Sequence, residues 1–271
     1  MLVVTQPDRP GNRMKLTPSP VKAVAMELRL PVGQPERIRD PASVERLREL
    51  APELIVVVAY GQIIPRSILA LPRLGIVNVH ASLLPSHRGA APIAHAILAG
   101  DKVTGVTIML MDELLDHGPL LQYEKVAIGA RETAPELTAR LAVAGARLLA
   151  DTLVRLDEII PVEQDHTRAT MAPRLRKEDG SLRWEMTADE IDRHVRAFQP
   201  WPGNTVNLMG RALKIVAGTP VDGSGEPGSV LGRSREGLAI ATGEGAYRLE
   251  TIQLPGRGPM PANQLLRLPD A

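Results

Sequence analysis

The chain has 271 residues, with 32 Lys and Arg against 31 Asp and Glu, so its formal net charge is only +1. It contains no Cys, which excludes disulfides, a thiolate nucleophile and Cys-ligated zinc. Hydrophobic residues make up 44% and charged residues 23%, which excludes fibrous and disordered classes and leaves room for two domains. Apolar runs are far shorter than the about 20 residues that cross a bilayer. We expect a cytoplasmic protein with no membrane partner.

The first half of the chain alternates apolar stretches with helical patterns. Residues 1–5 form a predicted strand, Ser19 and Pro20 suit the start of a helix, and a second helix begins near Pro41. Residues 54–59 are continuously apolar, as in a strand buried on both faces, and residues 75–80 form the next strand. A helix over 89–99, strands over 104–111 and 120–128, and an amphipathic helix over 135–156 follow. This order predicts an α/β domain with a mostly parallel sheet and flanking helices.

The second half changes character after residue 159. Pro161, Pro173 and mixed charges interrupt any periodicity, so we place a linker at 161–179 between domains at 1–160 and 180–271. Thr187 and Glu190 have the spacing of a capping box at the start of a helix over 188–198. Short strands then alternate with Gly and Pro turns, at 205–208, 212–216, 229–231, 238–241 and 247–253. This pattern favours a small β-barrel.

Candidate chemistry gathers where strand 75–80 ends. Asn78 and His80 are two residues apart, which puts both side chains on one face of an extended segment. Asp116 can approach from a second loop. An amide, an imidazole and a carboxylate can stabilise an oxyanion and move protons at a carbonyl without a covalent nucleophile. The alternatives are a strand end whose polar groups satisfy local backbone, and an Asp that caps a turn.

Three further features bear on binding. Residues 82–85 form a turn and residues 88–92 open a helix with small side chains, which suits a small-molecule pocket. Arg9, Arg13 and Lys15 lie in a loop that is by default a solvated surface, but whose charges could contact the phosphates of a polyanion. His117 lies beside Asp116, yet no spacing typical of metal ligands supports a site with His80, so we predict no metal.

Several segments together carry a resemblance. They are Asn-Val-His-Ala-Ser-Leu-Leu-Pro at 78–85, Arg-Gly-Ala-Ala-Pro-Ile at 88–93, Thr-Gly-Val-Thr-Ile-Met at 104–109 and Leu-Asp at 115–116. With Thr-Gln-Pro-Asp-Arg-Pro at 5–10 and Phe-Gln-Pro-Trp-Pro-Gly at 198–203, the chain resembles the methionyl-tRNA formyltransferase family over nearly its whole length. The resemblance implies a Rossmann-like domain followed by an OB-like, tRNA-binding barrel. It also implies a monomer that transfers a formyl group from 10-formyltetrahydrofolate to the amino group of methionyl initiator tRNA.

The resemblance assigns roles residue by residue. Asn78, His80 and Asp116 match the catalytic trio, in which Asn78 and His80 would stabilise the oxyanion and Asp116 would orient His80 or relay a proton. The segment that matches the folate-contacting loop consists of Ser82, Leu83, Leu84 and Pro85. The turn expected to border the pterin contains Tyr60, Gly61 and Ile63. The loop that inserts at the acceptor end of the tRNA contains Arg9, Arg13 and Lys15.

The sequence also departs from the family pattern. A glycine-bearing strand and a helix of roughly thirty residues, about one strand-loop-helix unit, are expected before residue 5, so we expect the sheet to lack a middle strand. Leu114 stands where glycine is usual, and His117 where a small or hydroxyl residue is usual. Two alternatives stay open: another folate-dependent formyltransferase that acts on an amino-sugar nucleotide, or an inactive fragment that binds folate or tRNA. The Gly-Ala-Ala-Pro-Ile segment at 89–93 and the basic loop favour the tRNA enzyme.

Overall fold

A computed structural model describes residues 1–10 and 16–267. Two compact units are distinguished. The first comprises Met1–His80, Thr107–Tyr123 and Leu148–Thr167, and the second comprises Ala81–Val106, Glu124–Arg147 and Arg168–Ala271. Within the described ranges, no helix is both long enough and apolar enough to cross a membrane.

The described residues form six α-helices, and two of them begin at a predicted capping signal. They are α1 (Pro20–Glu27), α2 (Pro41–Glu49), α3 (Arg66–Leu69), α4 (Pro92–Ala99), α5 (Ala134–Val154) and α6 (Ala188–Ala197). The side chain of Ser19 accepts a hydrogen bond from the backbone nitrogen of Lys22, which caps α1 as expected. Helix α4 begins later than predicted. Gly89 instead adopts φ +125, where a Cβ would lie 2.5 Å from the carbonyl oxygen of Ala172.

The strands before residue 130 form one mixed sheet and two small two-stranded sheets. They are β1 (Val3–Val4), β2 (Arg9–Pro10), β3 (Leu16–Thr17), β4 (Val32–Gly33), β5 (Ile55–Val57), β6 (Ile76–His80), β7 (Val103–Leu110) and β8 (Leu120–Ala127). The larger sheet has the order β5-β6-β7-β8, with β5 parallel to β6 and β6 antiparallel to β7. Strand β1 pairs in parallel with β4, and β2 pairs antiparallel with β3. The α/β architecture is confirmed, and β1–β4 and β5–β6 are its two parallel ladders among the pairs with a printed register.

The expectation that residues 54–59 are buried on both faces is wrong. The side chains of Val56 and Val58 are 39% and 57% exposed. The reason is the position of β5 at the end of its sheet, where β6 is its only partner among the described strands. The inner strand β6 is buried on both faces, since Ile76 and Val77 are almost fully covered.

The C-terminal part of the second unit is a six-stranded antiparallel sheet. It consists of β9 (Asn204–Leu208), β10 (Arg211–Val221), β11 (Val230–Arg233), β12 (Leu238–Ala241), β13 (Ala246–Gln253) and β14 (Pro259–Pro261), in the order β11-β12-β13-β10-β9 with β14 also on β13. Prediction missed β14 because it begins and ends with Pro. The antiparallel sheet is confirmed, but no ladder among the described strands closes it into a barrel. One edge of β13 is shared by β12 and β14, so β9 and β11 remain the ends of the path.

Helix α6 covers this sheet and confirms the predicted capping box. The hydroxyl of Thr187 accepts from the backbone nitrogen of Glu190, and the Glu190 carboxylate accepts from the backbone nitrogen of Thr187. Ile191 and Val195 of α6 belong to the same buried apolar cluster as Tyr247 of β13. This packing gives the second unit its core.

Candidate active site

The structure brings Asn78, His80 and Asp116 together in the first unit. Nδ2 of Asn78 lies 3.5 Å from Oδ1 of Asp116, and Nδ1 of His80 lies 3.6 Å from Oδ2. One carboxylate therefore faces both the amide and the imidazole. All three side chains are largely buried, with 8% of Asn78 and 5% of His80 exposed. Such separations are long for hydrogen bonds, as is common in catalytic groups without substrate.

Strand β6 holds two of these side chains on a rigid backbone. It lies between β5 and β7, and its register pairs Asn78 with Met109 and His80 with Thr107. Thr107 and Met109 are almost completely buried. Hydrogen bonding along both edges of β6 therefore fixes the backbone from which the amide and the imidazole project.

Asp116 lies in the loop between β7 and β8, in a backbone conformation that few non-glycine residues adopt. Its φ is +48. Two residues on, a Cβ at Gly118 would lie only 2.1 Å from the carbonyl oxygen of Leu110. The side-chain amide of Gln164 donates to the carbonyl oxygens of Asp116 and Gly118, at 3.0 and 2.7 Å. The carboxylate is thus carried by a loop whose shape depends on close backbone contacts.

The unusual His117 of this loop has local partners. Its Nδ1 lies 2.6 Å from Oδ2 of Asp112, and its ring stacks on that of His166 with centroids 3.9 Å apart and planes 7° apart. Throughout the described part of the chain, no group of three or more His, Asp or Glu side chains is arranged to hold a metal ion. The contacts of His117 are therefore those of a residue that stabilises the loop.

The turn that contains Tyr60, Gly61 and Ile63 is held by hydrogen bonds to other segments, and its Ile63 side chain is exposed. The side-chain amide of Gln6 donates to the carbonyl oxygen of Tyr60 at 2.8 Å, and Gln62 accepts from the backbone nitrogen of Ile38 at 2.8 Å. The Tyr60 hydroxyl is buried and has no hydrogen-bond partner in the described residues, and burial raises the pKa of this side chain. By contrast, the side chain of Ile63 is 91% exposed.

The predicted folate loop lies in the second unit and is firmly held. The hydroxyl of Ser82 donates to the carbonyl oxygen of Ser86 at 2.6 Å, and the backbone nitrogen of Ser86 donates to Leu83 at 3.0 Å. The carbonyl of Pro85 accepts from the backbone nitrogen of Thr170 at 3.3 Å. The peptide bond between Leu84 and Pro85 is cis. The hydrogen bonds within this turn and to Thr170 hold its backbone in place.

Comparison with known proteins identifies the family. Residues 1–153 match the family model described as "Formyl transferase", and residues 174–269 match "Formyl transferase, C-terminal domain". A methionyl-tRNA formyltransferase from Citrifermentans bemidjiense is 45% identical over 267 residues, which cover 97% of this chain and 84% of that protein. The chain belongs to the methionyl-tRNA formyltransferase family. A second methionyl-tRNA formyltransferase, from Chloroflexus aurantiacus, is 48% identical over 264 residues. The aligned residues cover 95% of this chain and 85% of that protein.

Solved structures share the fold at lower identity. HypX from Aquifex aeolicus, in complex with tetrahydrofolic acid, has a TM-score of 0.65 at 20% identity, covering 89% of this chain and 43% of HypX. An N-formyltransferase from Helicobacter canadensis, in complex with folinic acid and dTDP-3-aminofucose, has a TM-score of 0.64 at 18% identity, covering 86% of this chain and 81% of that protein. At these identities the likeness shows the fold of this methionyl-tRNA formyltransferase family member.

The basic residues predicted for the tRNA contact are only partly described. Arg13 and Lys15 lie outside the described residues. Arg9 is exposed, and its guanidinium donates to the side-chain oxygen of Gln6 at 3.4 Å. Nearby, Lys22 donates to the Asp8 carboxylate at 2.6 Å and this hydrogen bond lowers the pKa of Asp8. Lys22 thus balances the negative charge of Asp8, and Arg9 remains a surface cation.

Sequence reasoning missed Gln164, which the structure places against the loop of Asp116. Gln164 falls in the aperiodic stretch predicted as a linker, where no hydrophobic pattern marks a buried position. Its side chain is nevertheless only 5% exposed. The catalytic roles of Asn78, His80 and Asp116 stay predictions, because proximity alone does not test them.

Proposed function

We propose that this chain transfers a formyl group from 10-formyltetrahydrofolate to the amino group of methionyl initiator tRNA, as a cytoplasmic monomer. The observation that supports it most is the carboxylate of Asp116, which faces both Asn78 and His80 in a chain of this family. An amide donor, an imidazole and a carboxylate can support acyl transfer to an amine without any of them becoming covalently attached.

Each group has a distinct task. Bound 10-formyltetrahydrofolate would supply the electrophilic formyl carbon. The amine would form the new C–N bond, the bond from this carbon to the folate nitrogen would break, and tetrahydrofolate would leave with the proton that the amine loses. The amide of Asn78 is a neutral donor on a fixed strand, so it can stabilise negative charge on the formyl oxygen at little reorganisation cost. The imidazole of His80 donates to the same oxygen or takes part in proton transfer. Asp116 orients the imidazole through Nδ1 and can accept the proton released by the amine through water.

Donor-binding residues are proposed in each unit separately. In the first unit, we propose that the turn of Tyr60, Gly61 and Ile63 borders the pterin ring, where the exposed Ile63 offers an apolar face. Among the described residues other than its chain neighbours, the nearest heavy atom to a Cβ built at Gly61 is Nε2 of Gln6, at 3.9 Å, so a ligand can approach the backbone there. In the second unit we propose the same role for the braced turn formed by Ser82, Leu83, Leu84 and Pro85.

For the tRNA, we propose that Arg9, Arg13 and Lys15 contact phosphates near the acceptor end. Such contacts position the nucleic acid without reading its sequence, and their strength falls as salt rises. We also propose the division into a catalytic domain at 1–160, a linker at 161–179 and a tRNA-binding domain at 180–271. Two separate family models, one ending at residue 153 and one beginning at residue 174, support a division in this part of the chain.

A formylation assay with two acceptors tests the proposal. The purified chain is given formyl-labelled 10-formyltetrahydrofolate with either methionyl initiator tRNA or a nucleotide-linked amino sugar. We expect label on the tRNA and none on the sugar. Label on the sugar alone would replace the tRNA enzyme with a sugar enzyme, and label on neither acceptor would favour an inactive binding fragment.

A further inference from the structure

The loop that carries Asp116 needs support from outside itself. A non-glycine residue at φ +48 has a disfavoured backbone conformation, and such conformations persist where the surroundings determine them. Asp116 is followed by His117 and Gly118, and the backbone at Gly118 lies tightly against Leu110. The direction of the Asp116 carboxylate therefore depends on what holds the carbonyl groups of this turn.

Gln164 binds two carbonyl groups of this loop through one nitrogen. Its Nε2 donates to the carbonyl oxygen of Asp116 at 3.0 Å and to that of Gly118 at 2.7 Å. A primary amide has two hydrogens on this nitrogen, so both are used on the two sides of His117. The side chain is 5% exposed, and water does not readily replace these bonds. Gln164 thereby fixes the spacing of the two carbonyl groups.

The backbone around Gln164 is itself anchored to the same loop. Val162 and Leu120 exchange two backbone hydrogen bonds, at 2.8 and 2.9 Å, immediately after the loop ends in β8. His166 stacks on His117 at 3.9 Å. Residues 162–166 thus contact the loop at its end and at its centre, and Gln164 lies between these two contacts.

We propose that Gln164 is a positioning residue of the formyl-transfer site, which acts through the backbone of Asp116 to direct its carboxylate at Asn78 and His80. This rests on the proposed function of these three residues. The competing interpretation is that Gln164 only satisfies two buried carbonyl groups and contributes to stability alone. The two interpretations differ in whether the chemical step or only the folded fraction changes when Gln164 is replaced.

The first experiment separates the chemical step from stability. Gln164→Leu removes both donors at similar volume, while the control Thr152→Val removes a buried hydrogen bond of the same unit, from the Thr152 hydroxyl to the carbonyl of Leu148. We expect both variants to have a lower Tm. We expect kcat to fall about 10- to 100-fold in Gln164→Leu only, with KM for the folate donor and the tRNA changed less than about threefold, because a displaced catalytic group slows chemistry more than binding.

The second experiment does not depend on turnover. NMR signals of the His80 ring are recorded for the wild type, Gln164→Leu, Thr152→Val and Asp116→Asn, the last showing a His80 that faces no carboxylate. We expect the His80 signals of Gln164→Leu to move towards those of Asp116→Asn, and those of Thr152→Val to stay at the wild-type positions. Wild-type His80 signals in Gln164→Leu, or a kcat no lower than that of Thr152→Val, would overturn the positioning role. Absence of formyl transfer in the wild type would overturn the proposed function instead, and the NMR comparison would still decide the role of Gln164.

Discussion

Nδ1 of His80 and Oδ2 of Asp116 lie 3.6 Å apart, although one residue ends a central strand and the other lies in a loop with φ +48. The other carboxylate oxygen of Asp116 lies 3.5 Å from the amide of Asn78. The carboxylate thus links the two groups that β6 presents. We expect the three side chains to act together, so that the losses of activity caused by replacing each of them do not add.

The first prediction concerns the charge of Asp116. Asp116→Asn keeps the shape of the side chain but removes the carboxylate, so we expect kcat for formyl transfer to fall about 100-fold or more. The matched control is Asp151→Asn, which removes an exposed carboxylate of α5. Initial rates with saturating donor and tRNA measure the effect. Equal rates for the two variants would show that Asp116 has no part in the chemistry.

The second prediction concerns the tight turn after Asp116. Gly118→Ala places a Cβ 2.1 Å from the carbonyl oxygen of Leu110, so the loop must shift. We expect a loss of about 1 to 3 kcal/mol in the free energy of unfolding, together with a lower kcat. In Gly232→Ala, where a Cβ meets no atom within 4 Å among the described residues beyond its chain neighbours, both quantities should change little. Urea denaturation measures the free energy of unfolding, and formylation rates measure kcat. If both quantities in Gly118→Ala equalled those of the wild type, the close contact would be contradicted.

The third prediction concerns pH and stability. Burial lowers the pKa of His194 below its ordinary value; Glu190 and Asp179 oppose this effect and Arg193 adds to it. The unfolded chain therefore binds this proton more readily than the folded one. The stability tied to neutral His194 is complete above about pH 6.5 and is lost as the pH falls towards the lowered pKa of the folded state.

Urea denaturation between pH 8 and pH 5.5 checks this sign. The wild type should lose more stability over that range than His194→Gln, in which the titrating ring is absent. Because Glu190 and Glu136 have lowered pKa values, their own contributions are lost only at more acidic pH. Identical pH dependence in the two proteins would show that His194 titrates alike in the folded and unfolded states.

The fourth prediction concerns a buried ion cluster in the second unit. The Asp192 carboxylate contacts the guanidinium groups of Arg131 and Arg196, and Asp192 and Arg196 are both largely buried. Asp192→Ala leaves Arg196 without its carboxylate, so we expect a loss of about 3 kcal/mol in the free energy of unfolding. Glu158→Ala breaks the exposed pair with Arg155 and should cost less than about 1 kcal/mol. Chemical denaturation distinguishes them, and similar losses would contradict the burial of the cluster.

The sequence predicted what local pattern determines. The spacing of Asn78 and His80 predicted that their side chains lie on one face of a strand. Ser19 and Thr187 predicted two helix starts, and apolar runs predicted most strands. It did not predict the exposure of β5 or the open edges of the antiparallel sheet, because both depend on which strands become neighbours. Gln164 was missed for a related reason, since its burial arises from contacts with a loop distant in sequence. Tertiary contacts of this kind leave no periodic signal.

The most direct test of the formyl-transfer site is His80→Ala. Its formylation of methionyl initiator tRNA is compared with that of the wild type, and binding of the folate donor is measured on the same samples. We expect turnover to fall by at least about 100-fold while donor binding stays within about threefold, because the imidazole serves the chemistry and not the attachment of the donor. Full formylation activity in His80→Ala would contradict the assignment of this site.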